Sequence, residues 1–312
     1  MSGGGDEALL DVASAGRGSD GGGGGRGGVD VDVEPVGAVA RWWPWKDPVT
    51  RAETKEWLAL SWPTTMMLFC RMGMALTDLA LLGHLSTQAL AAASLANVWM
   101  VVSSQWIFDS IAGALNTLCS QAHGADKPRL VAVWLQCALI SMTALCLPVA
   151  AAWWFADNVL VAVGFEPATC ALAAKFSRWS LVGLLPQAWY LCLSAYFRAQ
   201  GIVKPMLVVN SVMLVVNFGL GYTAIWGIGG VGGWGFVGSP LATATTRTVG
   251  ALAFWAYTFG YRRLHRPTWA GWDPECLSGH RLTEFLLRQA APLAISRALE
   301  EWQLQLGSYL AA

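Results

Sequence analysis

Residues 58–82, LALSWPTTMMLFCRMGMALTDLALL, constrain this chain more than any other stretch. These 25 residues are mostly Leu, Met, Ala and Trp. At about 1.5 Å per residue, a helix of that length crosses a bilayer with some tilt. Arg71 and Asp78 lie inside it, and neither belongs in lipid. A lone charge near the hydrocarbon centre is costly, so such residues face a bundle interior or a watery cavity. Seven positions apart, the two share one helix face about two turns from each other. A charged stripe on a membrane helix predicts a passage for something polar. The competing reading is that the two charges anchor neighbouring helices, or that Arg71 snorkels.

The remaining composition points the same way. Of 312 residues, 55% are hydrophobic and only 13% charged, against about a quarter charged in an ordinary soluble domain. The net charge is zero, which gives no argument for nucleic acid. Seven Cys are scattered without a CxxC pair and read as small buried apolar residues, not as a disulfide or metal framework. No cofactor and no metal site are expected. The predicted fold class is an all-α membrane protein.

Residues 1–40 are Gly-rich and acidic and are expected to be disordered. Residues 41–55 mix Trp42, Trp43 and Trp45 with Lys46, Arg51 and Lys55, a pattern suited to the headgroup level. Seven apolar segments follow: from Glu56 through the stretch above, then roughly 91–119, 130–155, 172–197, 202–226, 240–261 and 285–312. The second is the most polar, with Asn97, Gln105, Asp109 and Asn116. The Gly-rich loop 227–239 lacks the flanking strand and Lys of a phosphate cradle and reads as a turn. The N-terminal flank and the loops after the second, fourth and sixth segments carry Lys and Arg, while the alternate loops carry none. That alternation predicts a cytoplasmic N-terminus. Lys175 and Arg178, early in the fourth segment, break it.

ALNTLCSQAHGA (114–125) resembles the "TLCGQAFGA" signature of the multidrug and toxic-compound extrusion (MATE) transporters. AYFRAQGIVKPMLVVNSVMLVVNFGLGY (195–222) resembles that family's bridge between its fourth and fifth helices. LALSWP, GHLSTQALAAASLAN, SPLATA and APLAISRALEEW (291–302) also match family positions, in order. The resemblance implies twelve helices in two six-helix lobes that rock around a central site. It also implies an antiporter expelling small organic solutes against proton or sodium influx, and no enzyme. On that pattern, 56–265 is a six-helix lobe, 266–283 an inter-lobe loop and 284–312 the seventh helix, beginning an incomplete second lobe. A truncated, non-transporting membrane fragment, or a partner of a full-length paralogue, is the competing expectation.

The resemblance also implies roles for particular residues. Asp78 falls where many family members have a first-helix coupling Asp, and a carboxylate in a partly desolvated cavity can carry a proton at working pH. Asn217 matches the fifth-helix Asn that accompanies it. The next polar family position is Gly221 here, and Thr243 offers a sixth-helix hydroxyl. Glu300 matches the seventh-helix Glu, with Glu301 beside it in place of a Trp; Arg297 makes a local ion pair the competing explanation. Asn97, Asn116 and Gln200 are candidates for the solute cavity, Gln200 reading also as a structural turn residue. Arg247, inside the sixth segment, requires a carboxylate partner that the sequence does not name.

Overall fold

The computed structural model describes residues 48–228, 231–269, 271–273, 276 and 279–311. The expectations for the 1–40 tail and for the Trp cluster at 42–45 lie outside the described residues. The account below concerns the unit Ala52–Ala312.

Six helical passes and a seventh helix make up the fold. The first is α1 (Pro48–Gly83), which begins before the predicted interfacial segment ends and carries Pro63 in its interior. The second is one continuous rod of α2 (Thr87–Met100), a π-helical turn (Val101–Gln105) and α3 (Trp106–Gly124). The Ser86 hydroxyl starts it by accepting the Ala89 N–H at 3.0 Å, which satisfies one of the orphan donors of a helix N-terminus. The third is α4 (Pro128–Trp154), opened by a Pro whose missing N–H would have had no partner. The short helix α5 (Ala156–Val163) then occupies what the sequence reads as a bare loop, and Gly164 closes it in the left-handed region at φ 105°. The fourth pass is broken: α6 (Pro167–Ser180), a 3₁₀ turn (Leu181–Gly183) and α7 (Leu184–Ala199). The fifth is α8 (Lys204–Trp226). A two-residue antiparallel ladder follows, β1 (Gly227–Ile228) with β2 (Val231–Gly232). The sixth pass is α9 (Gly238–Trp255), extended by a π-helical turn (Ala256–Tyr261). After α10 (Gly279–Thr283) and a π-helical stretch (Glu284–Ala290) comes α11 (Ala291–Ala311).

Among the described residues, four helices are long and apolar enough to cross a membrane: Trp57–Gly83, Thr87–Gly124, Pro128–Trp154 and Lys204–Trp226. The fourth expected pass is split by its 3₁₀ turn. The sixth carries Ser239, four threonines and Arg247, which dilute its hydropathy.

The passes meet along two buried clusters. One joins α3, α4 and α7 through Leu115, Met142, Tyr196 and Phe197, and takes in Phe254 of α9. The other ties α1, α2, α5, α6 and α8 together around Leu82, Leu160, Phe176 and Ile225. Here α2 buries Ala93 and Ala96 against Cys170, Ala173 and Ala174 of α6. Between lipid-bathed helices there is little hydrophobic driving force, so close packing of small residues supplies the attraction. All seven Cys are free and buried. In the loop after the sixth pass, burial and the neighbouring Asp273 carboxylate push the Cys276 thiol up, so it stays protonated.

The break in the fourth pass has a steric reason. A Cβ placed on Gly183 would lie 2.9 Å from Ala244 Cα, so the 3₁₀ turn lets the backbones of the fourth and sixth passes touch. Gly183→Ala therefore forces α9 outward. The expected result is a loss of about 1–3 kcal/mol, read as a lower melting temperature of the detergent-purified protein. An unchanged melting temperature would refute this account of the break.

Candidate functional site

Three passes deliver one polar side chain each to a single buried point. Asp78 comes from α1, Asn217 from α8 and Thr243 from α9; Asp78 is 7% exposed and Asn217 fully buried. The Thr243 hydroxyl donates to Asp78 Oδ2 at 2.6 Å. It accepts in turn from Asn217 Nδ2 at 3.1 Å. One hydroxyl thus links a carboxylate to an amide across three helices. Gly221, one turn beyond Asn217, allows the close approach: a Cβ there would meet Leu81 Cδ1 at 2.9 Å. Where the family pattern has a polar group, this chain has an apolar contact between α8 and α1.

The point is rich in acceptors. Asp78 Oδ1, Asn217 Oδ1 and the nearby Ser239 Oγ are buried without a hydrogen-bond partner. Buried acceptors left unpaired are costly, and a proton or a small cation relieves that cost. Arg247, one turn along α9 from Thr243, interacts electrostatically with Asp78. It adds a positive charge to the neighbourhood without forming a direct ion pair with Asp78.

A second polar layer lies about two turns away. Arg71 of α1 pairs with Asp109 of α3 at 3.8 Å, and Asp109 also accepts from Gln105 Nε2 at 2.8 Å. Asn210 of α8 donates to the Tyr190 hydroxyl of α7 at 2.5 Å, and Tyr190 lies within electrostatic reach of Arg71 and Arg198. The Arg71/Asp78 spacing on α1 is thus repeated by Asn210/Asn217 on α8. Both helices contribute to both layers. Arg71 and Asp78 share a face, as the sequence predicts, but serve different layers. Tyr190 and Asn210 were missed in the sequence, although the seven-residue spacing of the two Asn was the available signal.

The other predicted residues do not join Asp78. Glu300 is exposed and pairs with Arg297 at 3.1 Å, the local ion pair weighed against a cation role. The Glu301 side chain lies outside the described residues. Gln200 Nε2 donates to the Tyr196 carbonyl at 3.0 Å, finishing α7, in keeping with a turn residue. Asn97 is half-buried on α2. Asn116 on α3 keeps a buried, unpartnered Oδ1. Arg178, which broke the loop-charge alternation, is satisfied locally: it pairs with Asp157 at 2.9 Å and stacks on Trp154. Among the described residues, no cluster of His, Cys, Asp and Glu is arranged to hold a metal ion.

Comparison with known proteins then decides the family. The MatE family model matches residues 63–223, more than half of the chain. The chain belongs to the MatE family. It is 33% identical over 199 residues to an uncharacterized transporter of Schizosaccharomyces pombe, C323.07c, covering 64% of this chain and 37% of that protein. It is 27% identical over 262 residues to Protein DETOXIFICATION 18 of Arabidopsis thaliana, covering 83% and 54%. Among solved structures, the eukaryotic MATE transporter AtDTX14 superposes with a TM-score of 0.71 at 22% identity, over 81% of this chain and 55% of that one. The Vibrio cholerae MATE transporter VcmN gives 0.71 at 19% identity, over 83% and 57%. These superpositions support the fold. The chain spans about half the length of the curated relatives it matches. It is an integral membrane protein of a transporter family.

The shared hydroxyl makes a direct prediction. Thr243→Val keeps shape but leaves Asp78 without its donor and Asn217 without its acceptor, at a cost of about 1–3 kcal/mol. Thr243→Ser restores both bonds. Melting temperatures of the three proteins should rank wild type and Ser together, with Val below; equal values for Val and wild type would discard the link.

Proposed function

We propose that this chain forms the first lobe of a MATE antiporter that exports small organic solutes, cations among them, in exchange for protons. Asp78 carries the coupling proton, Asn217 and Thr243 hold the carboxylate, and the N-terminus is cytoplasmic. The observation that carries this reading is a nearly buried carboxylate with one oxygen held by Thr243 and the other unpaired beside an unpaired Asn217 carbonyl. Protonation removes the buried charge and converts an unpaired acceptor into a donor. The alternating basic loops support the orientation.

Arg247 favours a proton over sodium. A sodium ion at Asp78 would sit in the field of the guanidinium, whereas a proton removes the carboxylate's charge and brings no ion of its own. In this arrangement, proton loss restores the Asp78–Arg247 attraction and proton gain relaxes it. The sixth pass therefore has two electrostatic settings, which is what a coupling device requires. Asn97 and Asn116, in the second pass, and Gln200 remain candidates for the solute cavity; Glu300 and Glu301 remain candidates for a second ion site on the seventh helix.

Two experiments follow. With the gene expressed through the end of its native transcript and the product reconstituted in liposomes, an imposed pH gradient should drive efflux of a fluorescent organic cation. Asp78→Asn should abolish that flux while sparing the melting temperature; undiminished flux would remove Asp78 from the mechanism. Arg247→Met should create stabilisation by sodium chloride, against potassium chloride of equal strength, where wild type has none. Sodium stabilisation of the wild type itself would overturn the proton assignment.

A further inference from the structure

Away from both polar layers, α4, α7 and the end of the sixth pass enclose a groove of about 690 Å³. That lies within the roughly 300–1,000 Å³ usual for a small-molecule site. Leu139 and Leu147 of α4 form its floor and Trp189 of α7 one side. Phe259 of the π-helical turn and Trp269 and Trp272 of the following loop form the other. None of its lining residues belongs to α1, α3, α8 or α11. The hydroxyl of Thr143 is already engaged: it donates to the Leu139 carbonyl at 2.7 Å and accepts from Trp189 Nε1 at 3.0 Å. The rest of the lining is Leu, Ile, Ala, Phe and Trp, a surface that suits a hydrocarbon occupant.

The loop between Phe259 and Trp269 carries Arg262, Arg263 and Arg266, all exposed. Among the described residues none of the three has an acidic partner, whereas Arg129 is held by Asp273 at 2.6 Å and Arg178 by Asp157. The loop is a built structure. Gln136, fully buried on α4, donates to the Gly271 carbonyl at 2.8 Å and accepts the Asp273 N–H at 3.0 Å. The Tyr196 and Thr268 hydroxyls are hydrogen-bonded to each other, and His265 stacks on Phe259 at 4.5 Å. Arg263 sits in the left-handed region, φ 50°, where the chain reverses between the π-helical turn and the loop. Three exposed guanidiniums with no acidic partner among the described residues thus stand on the short loop between two residues that line the groove, Phe259 and Trp269.

We infer that this groove binds an anionic phospholipid, with one acyl chain along Leu139, Leu147 and Trp189 and the phosphate on Arg262, Arg263 and Arg266. Guanidinium forks match phosphate oxygens, and Trp side chains suit the boundary between hydrocarbon and headgroups. Charge complementarity selects the occupant, because a zwitterionic lipid offers the same chain but no net charge for three free arginines. The inference is independent of the transport reading, since it uses none of the residues around Asp78.

The test is lipid retention by the detergent-purified full chain, measured by native mass spectrometry and by melting temperature. Phosphatidylglycerol and phosphatidylcholine of identical acyl chains are the probes. Wild type should retain phosphatidylglycerol preferentially, by about fivefold for each arginine engaged. The triple variant Arg262→Gln, Arg263→Gln, Arg266→Gln should lose the preference while still binding both lipids weakly. Ala144→Trp, which fills the groove from an exposed position, should lose retention of both, and so tests the site should the triple variant not fold. Equal retention of the two lipids by wild type overturns the inference, as does a preference that survives the triple variant or retention undiminished by Ala144→Trp. A photoactivatable acyl chain should crosslink to the 135–147 and 189–193 peptides; crosslinks between two protein copies through this face would assign the groove to self-association instead.

Discussion

A carboxylate inside a hydrocarbon-bathed lobe must find donors on other helices, and that requirement governs how this lobe is put together. Asp78 reaches them only because α1, α8 and α9 meet at one point, where Thr243 serves carboxylate and amide at once. The contacts that allow the meeting are steric. Gly221 lets α8 close on α1, and Gly183 lets the fourth pass press against α9. Small residues elsewhere, such as Ala93 and Ala96 against Ala173, repeat the device between α2 and α6. Polar demand and small-residue packing are two sides of one arrangement, because a helix that cannot approach closely cannot deliver its donor.

Much of this was legible in the sequence, for identifiable reasons. Long apolar runs gave the passes, and their order with the motif 114–125 gave the family. Family positions gave Asp78, Asn217 and Thr243, which the fold does bring together. Rotation about each helix axis was not legible. Spacing says that Arg71 and Asp78 share a face, but not that Arg71 meets Asp109 of α3 while Asp78 meets Thr243 of α9. Nor does it say that Arg247 lies in electrostatic range of Asp78. The break at 181–183 was hidden because it answers to a neighbour distant in sequence, Ala244, whereas the helix Ala156–Val163 packs on the element that follows it, α6. At Glu300 the local pairing with Arg297 that the spacing offers is present in the structure.

The charges inside the lobe form a graded set. Asp78 and Arg247 interact electrostatically at long range, as do Arg247 and Arg71 and Asp109 and Arg198, while Arg71 and Asp109 form an ion pair at 3.8 Å. No member is isolated, so a change of charge at Asp78 is felt along the set through Arg247. The π-helical turn Val101–Gln105 ends one turn before Asp109 and supplies its Gln105 donor. Such turns widen a helix locally and are frequent at functional positions.

The matched seven-residue spacings on α1 and α8 carry a consequence for how this gene can change. Two helices that each contribute to two polar layers are locked in phase like threads on a common bolt. Adding or removing one residue between Arg71 and Asp78 would rotate the Asp78 carboxylate by about 100° and turn it away from the Thr243 hydroxyl, while Arg71 kept its place. The interval between the layers therefore admits substitutions but not insertions or deletions, and length variation among descendants of this sequence should fall in the loops at either side.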